Sequence, residues 1–414
     1  MTQTHATQSA RASDGEPEID GDFSPTPTRD ELIERAQKLA PALRERASHA
    51  AELRKLPQET IDDFHRLGFF KVVQPKRYGG YEMDPSIIFD LQLELGRGCA
   101  SSAWVYGVLN VHTWQLALFA PEAQDEVWKD DPTTLISSSY MPVGKAEWVD
   151  GGVKLSGRWS FSSGCDFADW AFLGGFVPTE DGKPPDMRTF LVPRSDYEII
   201  DNWYTSGLRG SGSKDVVVDG AFVPDHRMHK FSDGFRQKSP GNVINPSPVF
   251  RYPFGQIHVR SVSTPAVGAA LGALDAYLDY MKTKVSQATG GKAKDSYANS
   301  VIAAESAAIL DREVLVLHRN FEEMFSYLER GEKIPVERRV RFRSDSARAV
   351  NAATEVVENL FAACGARAAF EDHPVNRHFQ DIHAIRLHHA NGPDTPAANF
   401  GGVLFGAKNT DFFI

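Results

Sequence analysis

Cysteine is scarce in this sequence. Its 414 residues include only Cys99, Cys165 and Cys364, which lie far apart and form no CxxC pair. An odd number of isolated cysteines does not fit a disulfide framework, and it does not supply the paired thiolates of a structural zinc site. We therefore expect three reduced thiols and a fold that depends on its apolar core.

Long apolar runs and an excess of positive charge are also missing. No stretch approaches the ~20 apolar residues that cross a bilayer, and the first residues show no basic segment followed by an apolar one. Acidic residues outnumber basic residues by 55 to 45, for a formal net charge of -10. Proteins that bind nucleic acid concentrate positive charge on one face. These absences predict a cytoplasmic protein that binds neither membranes nor nucleic acid.

The hydrophobic pattern changes twice along the chain, which predicts three domains after a tail. Residues 1–28, rich in Ser, Thr, Ala and Pro, are predicted to be a disordered tail. Residues 29–134 carry apolar side chains at helical spacing, with Pro41 expected to interrupt the first helix. Short apolar runs between turns predict an antiparallel β-sandwich or barrel over residues 135–230. Long Ala- and Leu-rich segments predict a helical bundle over residues 231–414.

Two patterns that can signal cofactors are weak here. The glycine-rich segment GLRGSGSKD leads from Gly207 into a predicted strand, whereas a dinucleotide-binding loop needs a helix after it, so it indicates a β-domain turn. The late histidines lack HExxH spacing and a carboxylate or Cys that completes a ligand set. These histidines are His378, His383, His388 and His389. We expect no metal site.

Two serine clusters, Ser137–Ser138–Ser139 and Ser162–Ser163, lie at the ends of predicted strands. Serine hydroxyls there commonly bond the local backbone, but they can equally face a flat heteroaromatic ligand with donor and acceptor atoms. His112, in a mostly apolar helix, is either a structural residue or a proton acceptor near neutral pH. Three tryptophans also have two interpretations, since their indole rings either belong to the core or flank such a ligand. They are Trp104, Trp159 and Trp170.

Six segments carry a resemblance to a known family. They are LPQETIDDFHRLGFFKVVQPKRYGG from Leu56, SSAWVYGVLNVHTWQLALF from Ser101, ISSSYMPVG from Ile136, WSFSSGCDFADW from Trp159, LVPRSDYEIIDNWYTSGLRGSGSKDVVVDGAFVPDHR from Leu191 and FQDIHAIRLHHAN from Phe379. Together they resemble the flavin-dependent aromatic monooxygenases built on the acyl-CoA dehydrogenase fold. More narrowly, they are similar to oxygenase components of two-component phenol hydroxylases acting on 4-hydroxyphenylacetate or on phenolic secosteroid catabolites.

The resemblance implies an α+β multidomain fold with a helical N-terminal domain, a middle β-barrel and a C-terminal four-helix bundle, assembled as a homotetramer. It implies that a separate NAD(P)H:flavin reductase supplies reduced FMN or FAD. O₂ then reacts with the reduced flavin to give a C4a-hydroperoxide, which hydroxylates a small aromatic substrate ortho to its phenolic hydroxyl.

The resemblance also implies roles for individual residues. His112 matches the histidine that assists phenol deprotonation, Ser163 the serine that reaches flavin N5, and His388 a histidine on the distal side of the flavin. The predicted flavin-binding residues are Trp104, Ser137, Ser138, Trp159, Ser162, Ser163 and Gly365. The predicted substrate-binding residues are His112, Ser138 and His389.

Two alternatives keep this fold but change the reaction. An acyl-CoA dehydrogenase is disfavoured because the position of its catalytic glutamate holds His389, which leaves no carboxylate to remove the substrate's α-proton. A monooxygenase that oxidises sulfur or nitrogen stays open, as does a catalytically silent scaffold. Gly392, where several relatives place an acidic residue, and the divergent ending FGGVLFGAKNTDFFI leave the substrate unassigned.

Overall fold

A helical domain comes first. The computed structural model describes residues 24–179, 185–285 and 290–414, so the predicted tail lies outside the described residues up to residue 23. The Thr28 hydroxyl accepts the Glu31 N–H at 3.2 Å, and the Glu31 carboxylate accepts the Thr28 N–H at 2.6 Å, which caps the first helix. The helices are α1 (Arg29–Leu53), α2 (Gln58–Arg66), α3 (Ser86–Gly98), α4 (Ala100–Leu116) and α5 (Pro121–Trp128).

Pro41 does not interrupt α1, so that prediction was wrong. The helix continues through this residue, although proline removes one backbone donor and usually breaks or kinks a helix. Its ring is exposed, whereas Leu39 and Leu43 on either side of it are buried in the core. Packing of these neighbours therefore holds the turn together where the local propensity opposes it.

Helix α4 is buried along its whole length, which explains why its sequence shows no amphipathic pattern. Gln92 of α3 fixes its position, because the Gln92 amide donates to the carbonyl oxygens of Ala103, at 3.0 Å, and Ser261, at 2.9 Å. Gly107 permits this approach, since a Cβ there would stand 1.8 Å from the Gln92 amide nitrogen. The side chains of α4 are thus held at defined positions.

A single seven-stranded sheet follows α5. Its strands are β1 (Ile136–Val149), β2 (Gly152–Ser162), β3 (Trp170–Val177), β4 (Asp186–Pro193), β5 (Glu198–Ile200), β6 (Lys214–Pro224) and β7 (Met228–Lys230). Their order is β5-β6-β2-β1-β3-β4-β7. The β1–β3 pair is parallel, which corrects the all-antiparallel expectation. The reason is that β2 and β3 lie on opposite sides of β1, and the chain passes the start of β1 between the end of β2 and the start of β3.

The two sides of this sheet have different roles. One side packs a core of its own around Trp159, whose indole N–H donates to the Gly174 carbonyl oxygen at 2.7 Å. Residues on the other side, including Phe172 and Leu191, pack with α4 and α5 residues. Because successive strand residues alternate between the sides, neighbouring serines in β1 have different surroundings.

The remaining helices are α6 (Phe231–Arg236), α7 (Phe254–Thr283), α8 (Tyr297–Glu329), α9 (Val336–Cys364), α10 (Pro374–Arg386) and α11 (Asp394–Leu404). Helix α7 is buried over most of its length and packs against α3, α4, α8, α9 and α10. It therefore joins the C-terminal bundle to the first domain. The observed order of helices, sheet and helices confirms the predicted fold class.

Two kinds of feature were not found within the described ranges. None of the helices there carries an apolar stretch sufficient to span a membrane. Nor does that part of the chain bring three or more His, Cys, Asp or Glu side chains together as metal ligands.

Candidate active site

His112 of α4 forms hydrogen bonds with two residues of β1. Its Nδ1 lies 2.6 Å from the Ile136 carbonyl oxygen, and its Nε2 lies 2.7 Å from the Ser138 hydroxyl. A carbonyl oxygen can only accept, so Nδ1 carries the proton and Nε2 accepts from Ser138. Burial lowers the pKa of His112 to about 4. The imidazole is therefore neutral at pH 7, with its acceptor nitrogen directed to the serine.

A second set of contacts joins α4 to the end of β2. The Trp104 indole N–H donates to the Ser163 hydroxyl at 2.9 Å. The chain of hydroxyls continues from Ser163 to Ser213 at 2.7 Å and from Ser213 to Ser211 at 2.8 Å. The backbone at Gly164, where φ is 71°, passes so close to α4 that an added Cβ would contact side chains of this helix. Ser163 is thereby held against the indole.

His388 approaches Trp104 from the end of the bundle. The ring centroids of the two side chains are 5.7 Å apart in an edge-on arrangement. The Ala390 N–H donates to His388 Nδ1 at 3.2 Å, so the neutral ring carries its proton on Nε2. Burial lowers the pKa of His388 to about 3, and the nearby His389 and Arg343 act in the same direction. His388 therefore presents one N–H donor that has no partner among the described residues.

His258 of α7 is a residue that the sequence reasoning missed. Its ring lies 5.3 Å from Tyr140 and 6.2 Å from His388, and Tyr140 in turn lies 6.0 Å from His112. Burial lowers its pKa well below the usual value, with His388 as the next largest cause. Within residues 24–179, 185–285 and 290–414 neither imidazole nitrogen has a hydrogen-bond partner. The sequence signal that could have identified His258 is a lone histidine in the apolar stretch PFGQIHV, which is the same kind of signal that identified His112.

These contacts define one site at the junction of the three domains. We call it the reaction cluster, and its members are Trp104, His112, Ser138, Tyr140, Ser163, His258 and His388. It includes five of the predicted residues, which are Trp104, His112, Ser138, Ser163 and His388.

The other predicted site residues are not members of the reaction cluster. Ser137 and Ser162 are fully buried and bond to each other, with the Ser162 hydroxyl donating to Ser137 at 3.1 Å. Trp159 lies in the core of the sheet, away from any contact with the reaction cluster among the described residues. His389 is exposed beside His388. Gly365 is exposed at the end of α9, where Lys284 Nζ would lie 3.8 Å from an added Cβ.

The polar groups of the reaction cluster suit a flat ring with both donors and acceptors. His388 offers an unpartnered N–H, His258 offers a donor and an acceptor, and Ser163 keeps bonding capacity beyond its two neighbours. Aromatic side chains surround them. This donor set fits the isoalloxazine ring of a flavin.

Comparison with known proteins agrees with this fit. Residues 26–131 match the family model "Acyl-CoA dehydrogenase, N-terminal domain", and residues 261–393 match "Acyl-CoA dehydrogenase, C-terminal domain". The chain is 40% identical over 383 residues to the "Flavin-dependent monooxygenase, oxygenase subunit HsaA" of Rhodococcus jostii, covering 92% of this chain and all of that protein. The chain belongs to the flavin-dependent monooxygenases.

Two further relatives of this monooxygenase extend the comparison. It is 31% identical to the "p-hydroxyphenylacetate 3-hydroxylase, oxygenase component" of Acinetobacter baumannii, over 91% of this chain and 89% of that one. The solved structure "XiaF from Streptomyces sp. in complex with FADH2 and Glycerol" superimposes with a TM-score of 0.85 at 25% identity, covering 92% of this chain and 97% of that chain. The monooxygenase is thus an enzyme of acyl-CoA dehydrogenase fold that uses reduced flavin and O₂.

Proposed function

We propose that this flavin-dependent monooxygenase hydroxylates a phenolic substrate at the carbon ortho to its hydroxyl group. The observation that carries the proposal is the His112–Ser138 pair, in which a buried neutral imidazole and a hydroxyl converge at 2.7 Å beside the other polar groups of the reaction cluster. A phenol hydroxyl is the substrate group that such a pair can both donate to and accept from. The 3-hydroxylase named above, a relative, supports the same substrate class.

The electronic state of His112 defines what it does to the phenol. Because burial lowers the pKa of His112 to about 4, a full proton on this ring is unfavourable at pH 7. A bound phenol would donate its hydroxyl hydrogen to Nε2 in place of Ser138, so His112 would be the hydrogen-bond acceptor that draws the phenol proton away and makes the ortho carbon electron-rich. The released Ser138 hydroxyl would donate to the phenol oxygen and hold it in line, and the Ile136 carbonyl oxygen keeps Nε2 of His112 unprotonated.

We propose that Ser163 and His388 act on the cofactor. A bound reduced flavin would supply the oxygen chemistry by activating O₂. Ser163, held by the Trp104 indole, would bond flavin N5, and the His388 N–H would donate on the distal side of the ring. The surrounding buried aromatic side chains would exclude water, which a reactive oxygen species requires.

The proposal includes a partner and an assembly. Relatives are named as oxygenase subunits or components, which supports a separate NAD(P)H:flavin reductase as the source of reduced FMN or FAD. We propose a homotetramer in the cytoplasm, and large apolar side chains that this single chain leaves in solvent support an assembly of several chains. Examples are Leu315, Leu404 and Phe405, with exposed fractions of 59%, 71% and 95%.

The test is oxygen transfer with a panel of phenols and matched sulfides. The protein is mixed with chemically reduced FMN or FAD and ¹⁸O₂, and the products are identified by mass spectrometry. We expect a catechol that carries one ¹⁸O atom. Exclusive oxidation of the sulfides, or hydrogen peroxide as the only product with every phenol, would contradict the proposal.

A further inference from the structure

The glycine-rich loop after β5 reaches the Ser163 side of the reaction cluster. We call residues 207–213 the serine loop, because its Ser211 and Ser213 form the hydroxyl chain that ends at Ser163. The loop backbone adds a second connection, since the Gly164 N–H donates to the Ser211 carbonyl oxygen at 3.1 Å. The serine loop therefore contacts both the hydroxyl of Ser163 and the backbone next to it.

The other end of the serine loop is attached to α10. A Cβ on Gly207 would stand 2.1 Å from the Gln380 carbonyl oxygen, so the loop backbone passes directly against this helix. The next N–H, that of Leu208, donates to the Asp381 carboxylate at 2.7 Å. The Leu208 carbonyl oxygen in turn accepts the Ser211 N–H at 2.9 Å. A continuous series of hydrogen bonds thus leads from Asp381 to the reaction cluster.

The backbone of Leu208 is held in an unfavourable conformation. Its φ is 50°, in the left-handed region that a leucine rarely adopts. Its side chain is buried in the core, and its carbonyl oxygen also accepts the Trp203 indole N–H at 3.0 Å. Such a conformation persists only where the surroundings fix it, and Asp381 supplies the acceptor for the Leu208 N–H. Weakening this acceptor would let the serine loop relax.

Asp381 is a buried carboxylate that forms no ion pair within the part of the chain that the structure describes. Burial raises its pKa to about 6, although the Leu208 N–H, Arg377 and Arg209 act in the opposite direction. A further ionisable group beside it is the Cys99 thiol, which stays neutral because burial raises its pKa. The Asp381 carboxyl is therefore harder to ionise in the fold than in water. A purely structural role would be served as well by an amide of the same shape.

We propose that Asp381 is a positioning residue whose negative charge holds the serine loop and thereby sets the Ser163 hydroxyl for the flavin. A hydrogen bond to an ionised acceptor is roughly twice as strong as one to a neutral acceptor, so the charge matters as well as the shape. The inference rests on the proposed function for the contact between Ser163 and flavin N5. It also implies that the serine loop loosens when the carboxylate gains a proton, as the pH falls through about 6.

The first test is hydrogen exchange of the flavin-free protein, which involves no turnover. Exchange of the Leu208, Ser211 and Gly164 amides is followed by residue-resolved mass spectrometry, and each rate is compared with that of the unstructured amide at the same pH. In the wild type, protection of these amides should fall about fivefold or more between pH 7.5 and pH 5. Asp381→Asn should show the lower protection already at pH 7.5, with no further change. Its melting temperature should stay near that of the wild type, because the variant also removes a buried charge.

The second test asks whether Asp381 acts through Ser163. Excess protein is loaded with reduced FMN, mixed with O₂ in the absence of a phenol, and the rate of hydrogen peroxide release is measured at pH 7.5. Ser163→Ala and Asp381→Asn should each speed the release about threefold or more, because loss of peroxide takes the hydrogen from flavin N5 and a hydroxyl bonded there retains it. The double variant should be no faster than Ser163→Ala, since both changes remove one contact.

Asp84→Asn is the matched control. The Asp84 carboxylate also accepts a backbone N–H, that of Ser86 at 2.9 Å, but it lies at the start of α3 in the first domain. This variant should behave as the wild type in both tests. The same loosening of the serine loop in the control would overturn the inference, because the effect would then reflect loss of a carboxylate anywhere in the fold.

Two other results would also overturn it. One is amide protection in the wild type that does not change between pH 7.5 and pH 5, and the other is additive effects of Ser163→Ala and Asp381→Asn on peroxide release. Neither test needs a phenol, so failure to hydroxylate any phenol would contradict the proposed function alone. An unchanged rate of peroxide release in Ser163→Ala would contradict the role proposed for Ser163, while hydrogen exchange still decides whether Asp381 holds the serine loop.

Discussion

Replacing His112 with asparagine tests the proposed hydrogen-bond acceptor directly. The shorter amide can still donate to the Ile136 carbonyl oxygen, but it cannot also reach Ser138, which His112 Nε2 contacts at 2.7 Å. The change therefore removes the acceptor for the phenol and leaves the Ser138 hydroxyl without its partner. The flavin-binding residues predicted at the other side of the site, Ser163 and Trp104, keep their mutual contact.

The structure allows the magnitude to be worked out. A shift in pKa from 6.5 to about 4 means that full protonation of His112 is about 3 kcal/mol harder than in water. Positioned acid–base groups typically contribute about 10²- to 10⁴-fold in rate. Because His112 accepts a hydrogen bond from the phenol and does not take up its proton fully, we expect a rate effect in the lower part of this range. His112→Asn should lower the rate of phenol hydroxylation by roughly 100-fold.

The assay follows three quantities with reduced flavin in limiting amount: oxygen consumed, catechol formed and hydrogen peroxide released. Oxygen consumption should stay near that of the wild type, while the oxygen appears as peroxide instead of product. His229→Asn is the matched control. His229 is also buried, its pKa is also lowered to about 4, and it bonds Ser239 at 3.0 Å outside the reaction cluster.

An unchanged ratio of catechol to oxygen consumed in His112→Asn would refute the reasoning. Loss of product in both histidine variants would refute it as well, because a general loss of stability would then explain the result. Thermal melting of the two variants should show similar destabilisation, about 1–3 kcal/mol for a buried group left unsatisfied.

Three further predictions concern two other buried histidines and the residues around the reaction cluster. Burial lowers the pKa of His229 to about 4 and that of His378 to about 3, so the unfolded chain binds more protons than the folded chain below pH 6.5. The free energy of unfolding, measured by urea titration, should therefore fall as the pH drops from about 6.5 toward 4. Ser138→Ala should lower hydroxylation at little cost in stability, whereas Ser137→Ala should mainly lower the melting temperature, and the reverse pattern would contradict the assigned faces of β1. Trp104→Phe removes the indole N–H that bonds Ser163, together with part of the ring, and should raise the fraction of oxygen released as peroxide, measured with a peroxidase-coupled assay.

Local patterns predicted much of the fold and part of the site. The period of apolar residues identified α1, and the short runs after residue 135 identified the sheet. The parallel β1–β3 pair could not be predicted, because it depends on where the chain crosses after β2. Continuity of α1 through Pro41 depends on tertiary packing, which local propensity does not contain.

The candidate site shows the same division. The serine runs were visible in the sequence, but which serine faces α4 depends on the strand register, and the structure turns Ser138 toward it and Ser137 away. Trp159 belongs to the core of the sheet, which composition could not separate from a ligand contact. His258 was not predicted as a site residue because its neighbours His112 and His388 are more than a hundred residues away in the chain.

The hydroxyl chain beyond Trp104 has a consequence for how the site responds to oxidation state. Each serine has one hydroxyl hydrogen, so Ser163, Ser213 and Ser211 must reorient together. When the hydrogens run from Ser163 to Ser211, Ser163 accepts from an N–H; when they run back, it donates to a lone pair. A flavin nitrogen changes from donor to acceptor as it loses hydrogen. Three rotating hydroxyls can follow that change without moving any heavy atom.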